Sequence, residues 1–407
     1  MQTTLAQPFQ SSKEGQRAEE ILRSCVHCGF CTATCPTYLL TGNELDSPRG
    51  RIYLVKQLLE DSPDSAGKTT LQHLDRCLGC QSCETTCPSD VQYLELLDIG
   101  KAQLLQKTSR PLLSRLRRHL LLYCISTPII FRSLIRLASI LKGVLPKSLS
   151  RQLPAAGQFN LTIKRPSQRK VVLLNGCVQN TLSPATNNAA RAVLSRLNIS
   201  VQEIEQESCC GALHYHSDYA EKGKRNAKKL LAQLKAALDE GAEAVVSTAS
   251  GCGTFLKHYS SLFQNDTSAL ELVKKINHRV MDIGEFIARA DSEQLELSGS
   301  TRLAFHSPCT LQHGQGLNEV TESLLTKMGI QLEQTKDRHL CCGSAGTYSL
   351  FQPAMSKALK KQKLEALGAE SVDKIATANI GCQCHLASGT DKSVRHWIEY
   401  VAELLPK

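Results

Sequence analysis

The chain has 407 residues, enough for two or three domains with a substantial core. Aromatic residues make up only 5% and Trp397 is the single tryptophan, which excludes a base-stacking surface for nucleic acid. The net charge of +10 is unevenly placed: 17 of the 48 Lys and Arg lie between Ile99 and Gln202, which holds no Asp or Glu, leaving 31 basic against 38 acidic residues elsewhere. Such confinement of positive charge points to an acidic partner surface, nucleic acid or anionic lipid.

The first twenty residues are polar and lack the apolar core of a secretory leader. Residues 1 to about 12 are expected to be mobile. With 18 cysteines and no leader, the thiols point to a reducing, cytoplasmic compartment and not to a disulfide framework. Glu14–Ser24 reads as a short helix. It leads into Cys25-x-x-Cys28-x-x-Cys31-x-x-x-Cys35-Pro36, and the same spacing returns at Cys77, Cys80, Cys83 and Cys87-Pro88. This is the ligand pattern of a ferredoxin with two 4Fe–4S clusters. Three thiolates two residues apart wrap three corners of a cube, and the fourth, followed by proline, reaches across to the other cube. The expected sets are Cys25, Cys28, Cys31 with Cys87, and Cys77, Cys80, Cys83 with Cys35. Zinc, the alternative, favours two pairs of ligands.

Between the quartets, Ser47-Pro48-Arg49-Gly50-Arg51 caps and starts a helix running through Leu59. Arg49 and Arg51 are either holders of a negatively charged cluster or plain surface residues. Leu94–Lys107 reads as a helix leaving the ferredoxin. Two basic amphipathic helices follow. One covers Pro111–Tyr123, with Arg115, Arg117 and Arg118 on its basic side. The other lies between Pro128 and Pro146, with Ile130, Leu134, Leu137, Leu141 and Leu145 at helical spacing. Neither is long enough to cross a bilayer. Each either buries its apolar stripe in the protein or lies on a membrane surface. Pro146–Gln168 reads as a linker.

The remainder is an internal repeat. Cys177 precedes Cys209-Cys210-Gly211 by 32 residues, and Cys309 precedes Cys341-Cys342-Gly343 by 32. Each half closes on a Gly-Cys, at Cys252 and Cys382. Short apolar strands at 171–174, 244–246, 303–305 and 374–376 end just before Cys177, Cys252, Cys309 and Cys382. Helical patterns separate them at Pro184–Leu197, Tyr219–Gly241, Asn318–Met328 and Pro353–Leu367. Alternating strands and helices predict parallel α/β lobes, with the thiols at the strand ends where such lobes bind ligands. The eight thiols are candidates for additional metal or for thiol redox chemistry, and buried free cysteine is the plain alternative. Glycine after each pair is read as allowing a bulky ligand to approach. His214 and His216 read as core or hydrogen-bonding residues, Cys124 as apolar, and Cys384 as dispensable.

The expected architecture is α+β: a mainly helical two-cluster ferredoxin over 1–107, a basic amphipathic segment and linker over 108–168, and two pseudo-repeated α/β lobes over 169–298 and 299–407. With both quartets, the Ser47–Arg51 string, His306-Ser307-Pro308-Cys309, His339-Leu340-Cys341-Cys342-Gly343-Ser344 and Ala378-Asn379-Ile380-Gly381-Cys382, the chain resembles the iron–sulfur subunits of glycolate oxidases over nearly its full length. The repeated halves are similar to the CCG domains of heterodisulfide reductases and of anaerobic glycerol-3-phosphate dehydrogenase iron–sulfur subunits. Fully equipped CCG domains close on Cys-x-x-Cys; here both lobes lack the last thiol. The resemblance implies a non-catalytic electron-transfer subunit. It takes electrons from flavoprotein subunits that oxidise glycolate to glyoxylate, or D-lactate. It passes them towards membrane quinone from the cytoplasmic face of the inner membrane. No flavin is expected on this chain, since no Gly-x-Gly-x-x-Gly fingerprint is present, and no acid–base pair for substrate oxidation is apparent. The alternatives are the iron–sulfur subunit of another flavin-linked dehydrogenase, a thiol redox enzyme, and a scaffold stabilised by its clusters.

Overall fold

A computed structural model describes residues 1–7, 9–62, 65–153, 167–204, 207–290 and 295–406. Most of the expected linker lies outside the described residues. The fold is α+β, with helices throughout and two small parallel sheets. The chain forms two compact units. One comprises Met1–His119 with His339–Leu359, the other Leu120–Arg338 with Lys360–Lys407.

In the first unit, helices Lys13–Ser24, Pro48–Leu59, Lys68–Asp75 and Tyr93–Lys107 surround one core. Leu22, Leu58, Leu59, Leu74, Leu96 and Leu104 are wholly buried there. Ser12 and Ser47 cap the first two of these helices, each accepting a backbone N–H, from Gly15 and Gly50, at 3.0 Å. Pro48 opens its helix because the first turn has no use for its missing N–H. The N-terminal stretch, expected to be mobile, instead packs on this core. Leu5 and Phe9 are buried, and the Ala6 N–H donates to Leu59 O at 3.0 Å.

The second unit holds two four-stranded sheets. The first comprises β1 (Arg169–Leu174), β2 (Ile199–Gln202), β3 (Ala244–Ser247) and β4 (Val280–Asp282), in the order β2-β1-β3-β4. The second comprises β5 (Arg302–His306), β6 (Gln331–Leu332), β7 (Lys374–Thr377) and β8 (Ser393–His396), in the matching order β6-β5-β7-β8. All neighbours are parallel. Four strands follow the expectation; β2, β4, β6 and β8 were not foreseen, being two to four residues long with little pattern. Alternate residues of β1 serve two cores, as a period of two requires. Val171 and Leu173 join Phe305, Ala376 and Trp397 in a core shared by both lobes, while Val172 and Leu174 pack with Leu230, Leu234 and Tyr259. The buried Glu399 carboxylate, which accepts from Thr186 Oγ1 at 2.6 Å, ties the lobes further.

Asp282 caps helix Ile283–Arg289 by accepting the Gly284 N–H at 2.9 Å. Burial pushes its carboxyl up to about 7, with Glu285 adding to the rise and Lys257 opposing it. In the unfolded chain an aspartate titrates near ~3.9. Between those values the folded state holds a proton that the unfolded state has lost, so stability falls as pH rises towards 7. Asp282→Asn keeps the cap and abolishes the titration. Its unfolding free energy, measured by denaturant titration, is expected to exceed that of wild type at pH 8 by at most about 4 kcal/mol, at roughly 1.4 kcal/mol per pH unit. The gain should shrink towards pH 5; a gain independent of pH would refute the linkage.

Candidate metal centres

Both quartets sit on loops with one conformational plan. Two and four residues after Cys25, His27 and Gly29 adopt left-handed φ of 57° and 87°; at the same offsets from Cys77, Gly79 and Gln81 have 62° and 59°. The repeated turn lets three thiols leave one short loop on the same side. Glycine stands at one left-handed position in each loop, where it carries no Cβ penalty. Pro36 then opens helix Pro36–Thr41 directly after Cys35.

Cys25, Cys28 and Cys31 line one cavity together with Cys87 and Cys83, beside His27, Arg49 and Tyr93. Its empty volume is about 430 Å³, open mouth included. Burial pushes the Cys25 thiol up, and Cys87 and Cys28 add to this. Cys31 is pushed up to about 11, first by burial and then by Cys25, Cys35 and Cys28. Around the other quartet, burial pushes Cys83 well up, and Cys80, Cys77 and Cys35 add to it. Clustered thiols that resist becoming anions together form a donor set a cationic metal core satisfies. The residues therefore fit thiolate-held clusters.

The two neighbouring arginines part company. Arg49 is 36% exposed and paired with Glu44 at 2.5 Å. Arg51 is 1% exposed and lies among polar groups next to Cys35. Sequence spacing gave no means of separating them. Asp46, Thr37 and Tyr93, which reach these groups or a cysteine sulfur, carried no signal either.

In the first lobe, Cys177 follows β1 and Cys252 lies on helix Ser250–Lys257 after β3. Both therefore flank the point where strand order reverses, as expected for a ligand crevice. Cys177 and Cys209 sulfurs are 3.4 Å apart, and Cys210 and Cys252 sulfurs 3.5 Å. Hydrogen bonds from Cys177 and then Cys210 hold the Cys209 thiol well below its ordinary range, helped by the Gly211 N–H. The bond to Cys209, more than burial, pushes Cys177 and Cys210 well up. Cys177, Cys209 and Cys210 are thus linked by hydrogen bonds centred on the Cys209 sulfur, with Cys252 joined through Cys210.

The half-buried Glu207 carboxylate accepts the N–H groups of Asn175 and Gly176 at 2.7 and 2.9 Å and fixes the turn that carries Cys177. Tyr259 donates its hydroxyl to Cys210 O at 2.6 Å. Neither residue was foreseen; an acid two positions before the cysteine pair is the only trace in the sequence. His214 is buried and, among the described residues, neither ring nitrogen has a hydrogen-bond partner, so it is a core residue. His216 stands edge-on to Tyr215 and Phe255.

The glycines after the pairs have a different reason from the expected one. A Cβ on Gly211 would lie 2.3 Å from Gly223 O, and one on Gly343 would lie 2.9 Å from Ser356 O; both glycines have φ near 90°. They admit a following helix to close packing, not a ligand.

In the second half, Cys309 opens helix Cys309–Gln312 and Cys382 is buried on helix Ile380–Ala387, where the Asn379 amide lies 3.6 Å from its sulfur. Cys341 and Cys342 are buried in the segment His339–Leu359 that groups with the first unit. The Gly343 N–H approaches Cys341 Sγ at 3.5 Å, repeating the 3.4 Å contact of Gly211 with Cys209. Burial alone pushes Cys384 up to about 12, which suits an apolar role.

The arginine-bearing helix departs from expectation at Arg118, while Arg115 and Arg117 are exposed. In helix Leu112–Ser126, Arg118 is buried against Asp75 and stacks on Phe351 at 4.1 Å, while Leu112 and Leu113 are 81% and 79% exposed. The next helix, Pro128–Ile140, exposes Ile129 at 78% and Ile140 at 81%. It ends at Ile140, six residues short of Pro146. No single helix among the described residues is long and apolar enough to cross a membrane.

The family pattern of the 4Fe-4S dicluster domain matches residues 21–91, and that of the cysteine-rich CCG domain matches 171–257 and 303–387. The chain carries two 4Fe–4S clusters in the dicluster domain. Over the full length of both proteins it is 46% identical to the glycolate oxidase iron-sulfur subunit of Escherichia coli (strain K12). It is 29% identical to a probable glycolate oxidase iron-sulfur subunit of Bacillus subtilis (strain 168), over 93% of this chain and 91% of that one. It is 25% identical to lactate utilization protein A of the same organism, over 58% of this chain and 98% of that protein.

Proposed function

The chain belongs to the family of glycolate oxidase iron–sulfur subunits, and on that premise we propose that it is the electron-transfer subunit of a flavoprotein complex oxidising glycolate to glyoxylate. The oxidoreductase role in electron transfer rests on its iron–sulfur domains. The substrate, the flavin and the proton chemistry are assigned to partner chains. When bound, each 4Fe–4S cluster takes up and gives back one electron.

The observation that carries most weight is Cys87 lining one cavity with Cys25, Cys28 and Cys31. Those four would hold one cluster, and Cys35, Cys77, Cys80 and Cys83 the other. The leucine core beneath keeps water from the inner side of both loops. Exposed Val26 and Phe30 rim the first site beside exposed Cys28 and offer a flavoprotein partner an apolar contact close to the cluster. Electrons then leave towards quinone while the exposed apolar helices 112–140 rest on the cytoplasmic face of the membrane. In the lobes, the thiols of Cys177, Cys209, Cys210 and Cys252 are candidates for a further cluster or for thiol redox chemistry, as are Cys309, Cys341, Cys342 and Cys382.

Glycolate added anaerobically to the chain alone is expected to leave its iron–sulfur absorbance unchanged, and to bleach it once the flavoprotein partner is present. D-lactate should do the same more weakly. Bleaching only by glycerol 3-phosphate or D-lactate would move the assignment to another flavin-linked dehydrogenase. Thiol–disulfide turnover by the isolated chain would make it a thiol redox enzyme.

A further inference from the structure

Arg51 is the largest charged side chain enclosed in the first unit, 1% exposed. An enclosed guanidinium is costly unless paired and hydrogen-bonded. Its Nε donates to His73 O at 2.8 Å, and both Nη groups donate to Thr37 Oγ1 at 3.1 Å. The nearest carboxylate oxygen, on Asp46, is 3.6 Å away. Asp46 is itself fully buried and already committed. It takes Arg76 Nη1 at 2.9 Å and His73 Nδ1 at 2.8 Å. One carboxylate is therefore shared by two guanidiniums, and the group keeps a net positive charge.

That charge is aimed at one place. Thr37 Oγ1 lies 3.3 Å from Cys35 Sγ. With its lone pairs occupied by two N–H groups of Arg51, the hydroxyl proton is left to Asp46 O at 2.8 Å or to the sulfur. Tyr93 places a second hydroxyl 3.5 Å from Cys77 Sγ. The first site is arranged differently: its nearby Arg49 is neutralised by Glu44 and opens to solvent, and the Met1 ammonium donates to Cys25 O at 2.6 Å from the chain's end, so no enclosed guanidinium stands there among the described residues. Buried ion pairs seldom stabilise a fold better than apolar residues of similar size. An enclosed guanidinium without a carboxylate of its own, beside only the second site, calls for a role in charge.

We infer that the Arg51–Asp46–His73–Arg76 group raises the reduction potential of the cluster held by Cys35, Cys77, Cys80 and Cys83, with Thr37 carrying its influence to the Cys35 sulfur. Arg51 is a positioning residue for charge, not a ligand. Reduction adds one negative charge to a cluster, and a fixed cation in a water-poor setting favours the added charge. The second site would thereby become the electron's resting place relative to what its sulfurs alone would give. This rests on the ligand assignment above.

The test is a redox titration of the anaerobically purified full chain, followed by electron paramagnetic resonance of each cluster, with iron content measured alongside. Arg51→Met is expected to lower the second cluster's potential. At a fixed poise its ratio of reduced to oxidised form should fall at least tenfold, which is about 59 mV for one electron. Asp46→Asn removes the opposing charge and should shift the potential the other way. Arg51→Lys should stay near wild type, and the first cluster should not move in any variant. An unchanged potential in Arg51→Met with iron retained would overturn the inference. So would shifts of one sign in both charge variants, or loss of iron from both, since each marks a structural brace. A wild-type protein without two resolved clusters, or a Cys35→Ala variant that loses the first cluster, would instead remove the ligand assignment beneath it.

Discussion

Cys87→Ala is expected to abolish the cluster of the first loop, although Cys87 belongs to the second quartet. The uncrossed alternative would pair Cys87 with Cys77, Cys80 and Cys83. The cavity that gathers Cys25, Cys28, Cys31 and Cys87 favours the crossed set, although Cys83 also reaches it. The proline after each fourth cysteine turns the chain away from its own loop, which favours crossing. Cys35→Ala should give the mirror result, losing the cluster of Cys77, Cys80 and Cys83. Each single variant should retain roughly half of the ferredoxin iron, because one of two equal clusters is lost. Alanine is preferred to serine because a serine oxygen can remain a ligand. The measurement is iron and sulfide content with electron paramagnetic resonance of the two clusters. Loss of one and the same cluster from Cys87→Ala and Cys83→Ala would establish the uncrossed sets. Because ligation contributes to folding, both variants should also unfold at lower denaturant.

The second large effect is expected at the membrane. Anionic lipid vesicles should bind the purified chain, and neutral vesicles should bind it far less. Leu112, Leu113, Ile129 and Ile140 are more than three-quarters exposed, and the segment around them carries Lys and Arg without any Asp or Glu. Basic residues near a charged surface contribute about 1 kcal/mol each, and apolar side chains entering the headgroup region add to that. The triple variant Leu113→Ser, Ile129→Ser, Ile140→Ser should bind at least tenfold more weakly, a change of about 1.4 kcal/mol. Its stability and iron content should hold, since substitutions of exposed side chains cost little. Raising the salt should weaken wild-type binding by screening the basic residues. Equal binding of the triple variant and wild type would mean that these helices do not touch lipid. Equal binding to neutral and anionic vesicles would remove the electrostatic part.

Much of the site was legible because ligand type and spacing are properties of neighbouring residues. Two quartets of identical spacing required two loops of one conformation, and His27, Gly29, Gly79 and Gln81 show that conformation at matching offsets. The repeat of 32 residues has its counterpart in the fold, where Cys209 and Cys341 each meet the N–H of the glycine two positions on. The strands that were predicted are the ones with continuous apolar residues buried on both faces. Those missed are too short for any periodicity to register. The glycines of the Cys-Cys-Gly motifs were found by pattern but misread in cause. Their reason is a helix backbone about a dozen residues further along the chain in each case.

By itself the sequence determined that the chain is an iron–sulfur protein, that it holds two ferredoxin-type clusters, and that its second half is a duplicated α/β lobe. These follow from local spacing and from apolar runs. The packed fold was needed to show that Arg51 is enclosed while Arg49 is not, that Leu112, Leu113, Leu116 and Leu120 face outward while Arg118 does not, and that residues 339–359 group with the N-terminal unit. A helical pattern says which residues share a face; it does not say which face finds a partner. Those partners are remote in the chain: His73 for Arg51, Asp75 and Phe351 for Arg118, and Arg76 O for the Tyr348 hydroxyl.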